Sequence, residues 1–234
     1  MSKTANFSVQ TTKENLESLA AALGAKDPSP LEKLLGSVTI SVGIDERTYH
    51  GFDGIMALLA LGEIDRMKEM RIHFKHHKLT ESIKGNANIS WAANNAYRAI
   101  LGKYLVQLDR MDSKSLGGLV NDFEYIQNET DIKPTQDIHD ELLSKIGSLD
   151  SAGAFLQFLV SRYVPYMKSI EAVLSPHHVH NIYSHLVSKY LERSRRDIKK
   201  WYECTGISPQ INGQSVPPDQ YAAKKCNELK RLNP

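Results

Sequence analysis

Apolar residues along most of the chain recur every three or four positions, which is the period of an amphipathic α-helix. Two early segments also carry capping-box spacings, Thr11 with Glu14 and Ser29 with Glu32. Further helices are predicted near residues 116–127, 136–146, 151–174 and 176–204. Pro165 should kink the third of these, because proline cannot donate the backbone hydrogen bond. The pattern predicts a mainly α-helical protein.

Two stretches depart from simple amphipathic helices. In residues 37–52, SVTISVGIDERTYHGF, apolar and small polar residues alternate, which predicts a short β-hairpin that turns at Asp45–Glu46. The following segment starts from a predicted cap at Asp53 and is apolar on all sides in its first half but charged in its second. Its beginning should be buried and its end should emerge into solvent. A long core helix should then start at a Ser90 cap.

The polar, proline-bearing stretch NETDIKPTQ, residues 128–136, is the best internal boundary. The predicted fold class is therefore mainly α: a two-lobed helical globule with a short β-hairpin and extended N- and C-terminal arms. The predicted divisions are an N-terminal arm with a short helix at 1–30, an N-terminal helical lobe at 31–128, a C-terminal helical lobe at 129–205 and a C-terminal arm at 206–234.

The net charge of +2 over 234 residues is the sum of larger opposing contributions. The balance is −2 over residues 1–60, +4 over 61–110, −6 over 111–160 and +6 over 161–234. Such alternation could line a basic cleft, or it could let the acidic middle of one copy meet a basic face of the next.

Cysteine usage and hydropathy predict a cytoplasmic protein that makes no membrane contact. Cys204 and Cys226 lack CxxC spacing and are expected to be reduced thiols. The polar first thirty residues contain no apolar core of signal-peptide length. The longest apolar run, Ile55–Leu61, is far too short to span a bilayer.

Two histidine clusters raise the question of a metal site. They are His73, His76 and His77 in RIHFKHHK, and His177, His178, His180 and His185 in SPHHVHNIYSH. The first three share one face of a helix, but a tetrahedral zinc site needs a fourth donor and partners that orient its ligands, and none is visible locally. Neighbouring arginine and lysine side chains also disfavour a divalent cation. A histidine-ligated metalloprotein is therefore kept as an alternative, and no metal ligand is assigned.

The strongest directional signal is a basic stripe in residues 183–204, YSHLVSKYLERSRRDIKKWYEC. At about 100° per residue, four cations superpose on one face of a helix. They are Lys189, Arg193, Arg196 and Lys200, spaced i, i+4, i+7 and i+11. Such a stripe is roughly 16 Å long at 1.5 Å per residue, a length commensurate with several phosphates of a single strand.

Residues beside the stripe strengthen the nucleic-acid interpretation. Arg195 and Lys199 widen the positive surface, and Trp201 and Tyr202 at its edge could stack on bases. The alternative is an ordinary solvated face, partly neutralised by neighbouring acids. They are Glu192, Asp197 and Glu203.

Enzyme signatures are missing from the sequence: there is no Gly-rich phosphate loop, GxSxG, HExxH or EF-hand pattern. We therefore expect no catalytic residues, no cofactor and no enzymatic activity. A second basic segment, which includes RIHFKHHK, is expected to form the mouth of a positively charged groove and to meet phosphates. Its cations are Lys68, Arg71, Lys75, Lys78 and Lys84.

These features predict a non-enzymatic, self-associating RNA-binding protein of nucleocapsid or coat type, a general plan shared with small viral nucleoproteins. The protein would grip the phosphate backbone of single-stranded RNA in a basic groove and would associate through its terminal arms. The hypothesis requires the two basic segments to face a common groove. The remaining alternative is a helical protein-interaction module that docks an acidic partner.

Overall fold

The chain folds into two units of mainly helical structure, which confirms the predicted fold class. A computed structural model describes residues 6–23, 37–70, 87–191 and 193–232. Unit 1 contains the described residues up to Ile100 together with Asp122–Pro134. Unit 2 contains Leu101–Asn121 and the described residues from Thr135 onward.

Unit 1 combines a small sheet with helices. Its elements are β1 (Asn6–Gln10), α1 (Lys13–Leu23), β2 (Ser37–Val42), β3 (Asp45–His50), α2 (Gly51–Ala60), α3 (Ile64–Glu69) and parts of α4 (Ala87–Gln107) and α5 (Gly117–Thr130). The strand order is β1-β2-β3, with β1 parallel to β2 and β2 antiparallel to β3. Val9 of β1 pairs in register with Ile40 of β2, and both side chains are buried. The sheet therefore supplies part of the core of unit 1.

The predicted hairpin is confirmed as β2 and β3, but it turns at Gly43–Ile44 rather than at Asp45–Glu46. Gly43 has φ +59°, which glycine adopts without steric cost in a tight hairpin loop. Residues 6–10, assigned to the N-terminal arm, form β1. The cap of α1 is Thr12, one residue later than predicted, and its Oγ1 accepts the backbone N–H of Asn15 at 3.3 Å. The predicted start at Ser29 and Glu32 lies outside the described residues.

The segment predicted to start at Asp53 forms two helices, because α2 begins at Gly51 and ends at Ala60. Gly62 has φ +69°, its N–H donates to the Leu59 carbonyl at 2.9 Å, and the N–H of Glu63 donates to the Leu58 carbonyl at 3.0 Å. This double hydrogen bond is a Schellman stop. Residues Ile55–Ala60 are buried, which confirms that the apolar beginning of this segment lies in the core. The charged continuation, residues 71–86, lies outside the described part of the chain.

Unit 2 is built from helices around one core. Besides the remainders of α4 and α5 and a 3₁₀ turn at Leu108–Arg110, its elements are α6 (Gln136–Ser148), α7 (Ala152–Phe158), α8 (Val164–Ser169), α9 (Pro176–Lys189), α10 (Ser194–Thr205), β4 (Gln210–Ile211), β5 (Gln214–Ser215) and α11 (Pro218–Leu232). Helix α9 packs against α6 and α10, and α10 packs against α11. An ideal Cβ at Gly147 of α6 would lie 3.3 Å from the Ile182 side chain, so α6 and α9 approach closely.

Three predictions for unit 2 need correction. The helix predicted over residues 176–204 is two helices, because α9 ends at Lys189 and α10 starts at Ser194. The predicted C-terminal arm is not extended throughout: it contains the β4–β5 hairpin, because Asn212 and Gly213 both adopt positive φ, as a tight two-residue turn requires. The disturbance predicted at Pro165 takes the form of a π-helical stretch, Leu159–Tyr163, because proline cannot donate to the carbonyl four residues earlier.

The C-terminal segment folds back on its own chain. Tyr221 and Ala222 of α11 are buried, and the Cys226 thiol donates to the Leu191 carbonyl at 3.4 Å. This arrangement anchors the helix of the predicted C-terminal arm within unit 2. None of the helices in the described ranges combines the length and apolar character needed to cross a membrane.

The core of unit 2 contains a histidine. His139 on α6 is fully buried, and its Nδ1 lies 2.7 Å from the Tyr163 hydroxyl. Its Nε2 has no hydrogen-bond partner among the described residues. Burial lowers the pKa of His139 to about 4, and the nearby carboxylates of Asp140 and Asp137 oppose that shift only in part. His139 is therefore neutral at physiological pH.

Acidification should destabilise the fold through His139. The neutral imidazole is favoured only in the folded state, so its contribution is complete above the unfolded pKa near 6.5 and is lost as the pH falls towards about 4. We expect the free energy of unfolding to drop by about 3 kcal/mol over that window. Urea titrations at several pH values should show this fall in the free energy of unfolding in the wild type. The fall should be absent in His139→Gln. The exposed control His50→Gln should retain it, and an equal slope in all three proteins would contradict the assignment.

Candidate nucleic-acid interface

Helix α10 has one buried face and one charged face. Ser194, Ile198 and Trp201 are buried, at positions i, i+4 and i+7. The exposed cations of this helix are Arg195, Arg196, Lys199 and Lys200. Trp201 is 0% exposed, so the predicted stacking of this indole on a base is wrong. Tyr202 is partly exposed and keeps a surface edge.

The turn between α9 and α10 is held by contacts from other parts of unit 2. The Tyr190 hydroxyl donates to the Asp150 carbonyl at 2.6 Å, and its ring would contact a Cβ placed on Gly153 at 3.4 Å. The Leu191 carbonyl accepts the Ser194 hydroxyl at 2.8 Å as well as the Cys226 thiol. These contacts engage the side chain of Tyr190 and the carbonyl of Leu191, and they explain why a single helix does not continue to residue 204.

Three cations of the predicted stripe meet in one concave site after this turn. Arg193, Arg196 and Lys200 line a cleft of about 380 Å³, which we call the basic cleft. Its other lining residues are Gly153, Ala154, Tyr190 and Asp197. Because Arg193 lies in the turn and the other two cations on α10, the cleft keeps three members of the stripe together although the helix is broken.

Lys189 is not in the basic cleft. Its Nζ lies 2.8 Å from the Asp150 carboxylate, and the pair shifts both groups towards their charged forms. The hydrogen bond and the charge of the partner raise the pKa of Lys189 and lower that of Asp150. The structure therefore gives Lys189 an acidic partner within its own chain.

The cations of the basic cleft are not neutralised in this way. Within the described ranges, no carboxylate lies within ion-pair distance of Arg193, Arg195, Arg196 or Lys200, and Lys199 reaches Glu203 only at 4.0 Å. Asp197 lies at the cleft without an ion pair among the described side chains. The described residues that line the basic cleft, three cations and one acid, therefore carry a positive balance.

The other basic segment lies in unit 1 and is described only at its start. Lys68 Nζ lies 2.8 Å from the Asp122 carboxylate and 5.4 Å from the centre of the Tyr125 ring. Its charge is therefore already paired within unit 1. The remaining predicted phosphate ligands, and the three histidines beside them, lie outside the described residues. They are Arg71, Lys75, Lys78 and Lys84, with His73, His76 and His77.

The second histidine cluster has separate partners. His177 Nε2 lies 3.3 Å from the Asn181 amide, His178 Nδ1 lies 3.5 Å from the Asp140 carboxylate, and His180 packs edge-on against Tyr221. No group of three or more histidine, cysteine or acidic side chains suited to a metal forms among the described residues. The geometry of this cluster therefore gives no support to the metalloprotein alternative.

The sequence reasoning left out two features of this region. The first is Tyr190, whose hydroxyl and ring hold the turn beside the cleft; its contacts come from residues about forty positions away, so no local pattern marks them. The second is the packing of the basic helix α11 against α10, where it exposes Lys224, Lys230 and Arg231. The sequence shows that α11 is basic, but no local pattern identifies its packing partner.

Comparison with known proteins returns no relative. No protein-family model matches the chain, and neither a curated protein nor a solved structure matches it significantly. The function is therefore inferred from the geometry and chemistry of the described residues.

Trp201 and Tyr202 should differ sharply in their contributions to stability. Trp201→Ala removes a fully buried indole and should lower the free energy of unfolding by about 3–5 kcal/mol. Tyr202→Ala truncates a ring that is 37% exposed and should lower it by only about 1 kcal/mol. Urea unfolding followed by circular dichroism measures both, and similar losses for the two variants would contradict the assigned packing.

Proposed function

We propose that the protein binds single-stranded RNA through the basic cleft and the adjoining cations of α10, as a non-enzymatic, self-associating protein of nucleocapsid or coat type. The observation that carries the proposal is the convergence of Arg193, Arg196 and Lys200, none of which has a carboxylate partner among the described residues. Cys204 and Cys226 are both free thiols, which suits a reducing cytoplasm. RNA would supply the negative charge that the described carboxylates do not.

The shape of the cleft favours phosphate over an acidic protein helix. Carboxylates on a helix are presented singly at intervals of about 5–6 Å along its surface. A phosphate group concentrates several acceptor oxygens at one point, and two guanidinium groups can each bind it through paired N–H donors. Three cations around one concavity of about 380 Å³ are better matched to such a compact anion.

Neutralising the basic cleft should reduce the salt dependence of RNA binding. Each phosphate contact on a single strand releases about 0.7 counterion, so the triple variant Arg193→Gln, Arg196→Gln, Lys200→Gln should lower the slope of log K against log salt by about 2. Fluorescence anisotropy with a labelled single-stranded RNA over several salt concentrations gives this slope. The variant should fold normally, because these side chains are exposed and make no ion pair with a described residue.

The matched control changes the same charge elsewhere in unit 2. Lys103, Arg110 and Lys145 are exposed and lie outside the basic cleft, and their replacement by glutamine should leave the slope close to wild type. Equal slopes for both triple variants would contradict a specific role for the cleft. A wild type that ignores RNA at low salt but forms a discrete complex with an acidic peptide would favour the protein-interaction alternative.

Self-association by exchange of the C-terminal arm between copies can be tested by disulfide cross-linking. Helix α11 is anchored within its own chain by Tyr221, so an exchanged arm would make the same contacts on a neighbouring copy. The Ser194 Oγ lies 4.0 Å from the Cys226 sulfur, and Ser194→Cys would therefore place two thiols side by side. In a Cys204→Ser background with RNA present, oxidation should then produce covalently linked oligomers on a non-reducing gel.

The control for the cross-link is Ser188→Cys, which places an exposed thiol on α9 and reports chance collisions between copies. Light scattering with and without RNA at two salt concentrations should show growth in mass that depends on RNA. A cross-link confined to single chains, together with a monomer that RNA does not change, would rule out exchange of the arm.

A further inference from the structure

Unit 1 contains a cleft of about 380 Å³ that includes a tryptophan, and we call it the tryptophan cleft. One wall is a face of α4, where Trp91, Asn95 and Arg98 are spaced i, i+4 and i+7 and therefore lie in line. The opposite side includes Gln10 at the end of β1 and Asn15 on α1. Trp91 is half-buried, in contrast to Trp201, which is completely enclosed in unit 2.

The uncharged polar lining of the tryptophan cleft includes three carboxamides and the hydroxyls of Thr11 and Ser18. Gln10, Asn15 and Asn95 each present an amide that contains both a donor and an acceptor. Asn95 Nδ2 donates to the main-chain carbonyl of Trp91 at 2.9 Å, and no hydrogen bond from a described residue reaches the oxygen of this amide. Paired donors and acceptors next to an aromatic ring match the edge and the face of a nucleobase.

The described lining of the tryptophan cleft carries one acid, Glu63, and one cation, Arg98, whereas the described lining of the basic cleft carries three cations and one acid. A site of this kind has little net attraction for a phosphate or a metal ion. It is better suited to an uncharged, hydrogen-bonding ring.

An extended peptide is a poorer match than a base. A peptide would dock by pairing its backbone with the free edge of β1, the outer strand beside the cleft. The carbonyl of Ser8 in that strand already accepts a hydrogen bond from the Arg66 guanidinium. Arg66 therefore occupies an acceptor that strand addition would need.

We propose that the tryptophan cleft binds a base of single-stranded RNA, with the base stacked on Trp91 and its edge hydrogen-bonded by Asn95 and neighbouring carboxamides. This inference rests on the proposed function and adds a binding site for the uncharged part of the same ligand. Stacking depends only weakly on salt, so its contribution is separable from that of the basic cleft.

Substitution of Trp91 tests the site in the full-length chain. Trp91→Leu should weaken binding of a single-stranded RNA about ten-fold, the usual order for loss of one stacked base, while the slope of log K against log salt stays at the wild-type value. Trp91→Phe retains an aromatic ring and should bind within about three-fold of wild type. Thermal unfolding of both variants shows whether either one has lost the fold.

Fluorescence provides a readout that does not depend on strand affinity. The chain has two tryptophans and Trp201 is fully buried, so uridine or adenosine monophosphate should quench only the Trp91 component. The quenching should disappear in Trp91→Leu and should be absent when wild type is titrated with an abasic strand of equal length.

The outcomes separate this inference from the proposed function. RNA binding that Trp91→Leu leaves unchanged, with no quenching by nucleotides, overturns the tryptophan site and leaves the basic cleft intact. Quenching of Trp91 by nucleotides without any binding of single-stranded RNA overturns the proposed function and supports base binding in the tryptophan cleft. Equal quenching by the abasic strand, or by a glutamine-rich peptide, overturns recognition of a base.

Discussion

The Tyr190 carbonyl accepts two backbone hydrogen bonds, from the N–H of Arg193 at 3.0 Å and from that of Ser194 at 2.7 Å, and this turn sets the direction in which α10 leaves α9. An uninterrupted helix would arrange its cations in one straight line. After the turn, Lys189 is paired with Asp150, whereas Arg193, at the N-cap of α10, lines the same cleft as Arg196 and Lys200. Tyr190 of the turn, together with Gly153 and Ala154, completes the concavity on which the proposed function rests.

Burial of the opposite face of α10 fixes the orientation of those cations. Ser194, Ile198 and Trp201 are enclosed, and a guanidinium or ammonium group could not share that environment without losing several kcal/mol in hydration. A charged outer face is accordingly what any surface helix of this kind would show. The distinguishing features of α10 are the lack of carboxylate partners for most of its described cations and the concave shape of the surface around three of them.

Local sequence patterns predict most of the helices and the β2–β3 hairpin, because the helical and strand periods of apolar residues extend over only a few neighbouring positions. The spacing of Ile198 and Trp201 on the apolar face also predicts that this indole is buried, which argues against its assignment as a stacking residue. The Asn212–Gly213 pair is a recognised hairpin signal, although the segment around it is polar and lacks the alternation of a strand.

Other features depend on contacts between distant segments. Tyr190, at the helix break, donates to the Asp150 carbonyl and packs its ring beside Gly153, and Lys68 is paired with Asp122, more than fifty residues away. Neither contact leaves a trace in the periodicity of α9, α10 or α3. Charge patterns could therefore locate cationic segments, but only the folded chain distinguishes a paired cation from one that is available to a ligand.

The two clefts differ in the interactions that they could make with RNA: the basic cleft could make ionic contacts, and the tryptophan cleft could make stacking and hydrogen-bond contacts. Among the described residues of the basic cleft, three cations outnumber one acid, and phosphate contacts carry no sequence information because every nucleotide has the same phosphate. The described lining of the tryptophan cleft carries one acid and one cation, and the contacts proposed between its carboxamides and a base would depend on the base edge. Added salt weakens the first kind of contact and spares the second. Rising ionic strength should consequently lower total affinity while increasing the share of it that depends on the bases.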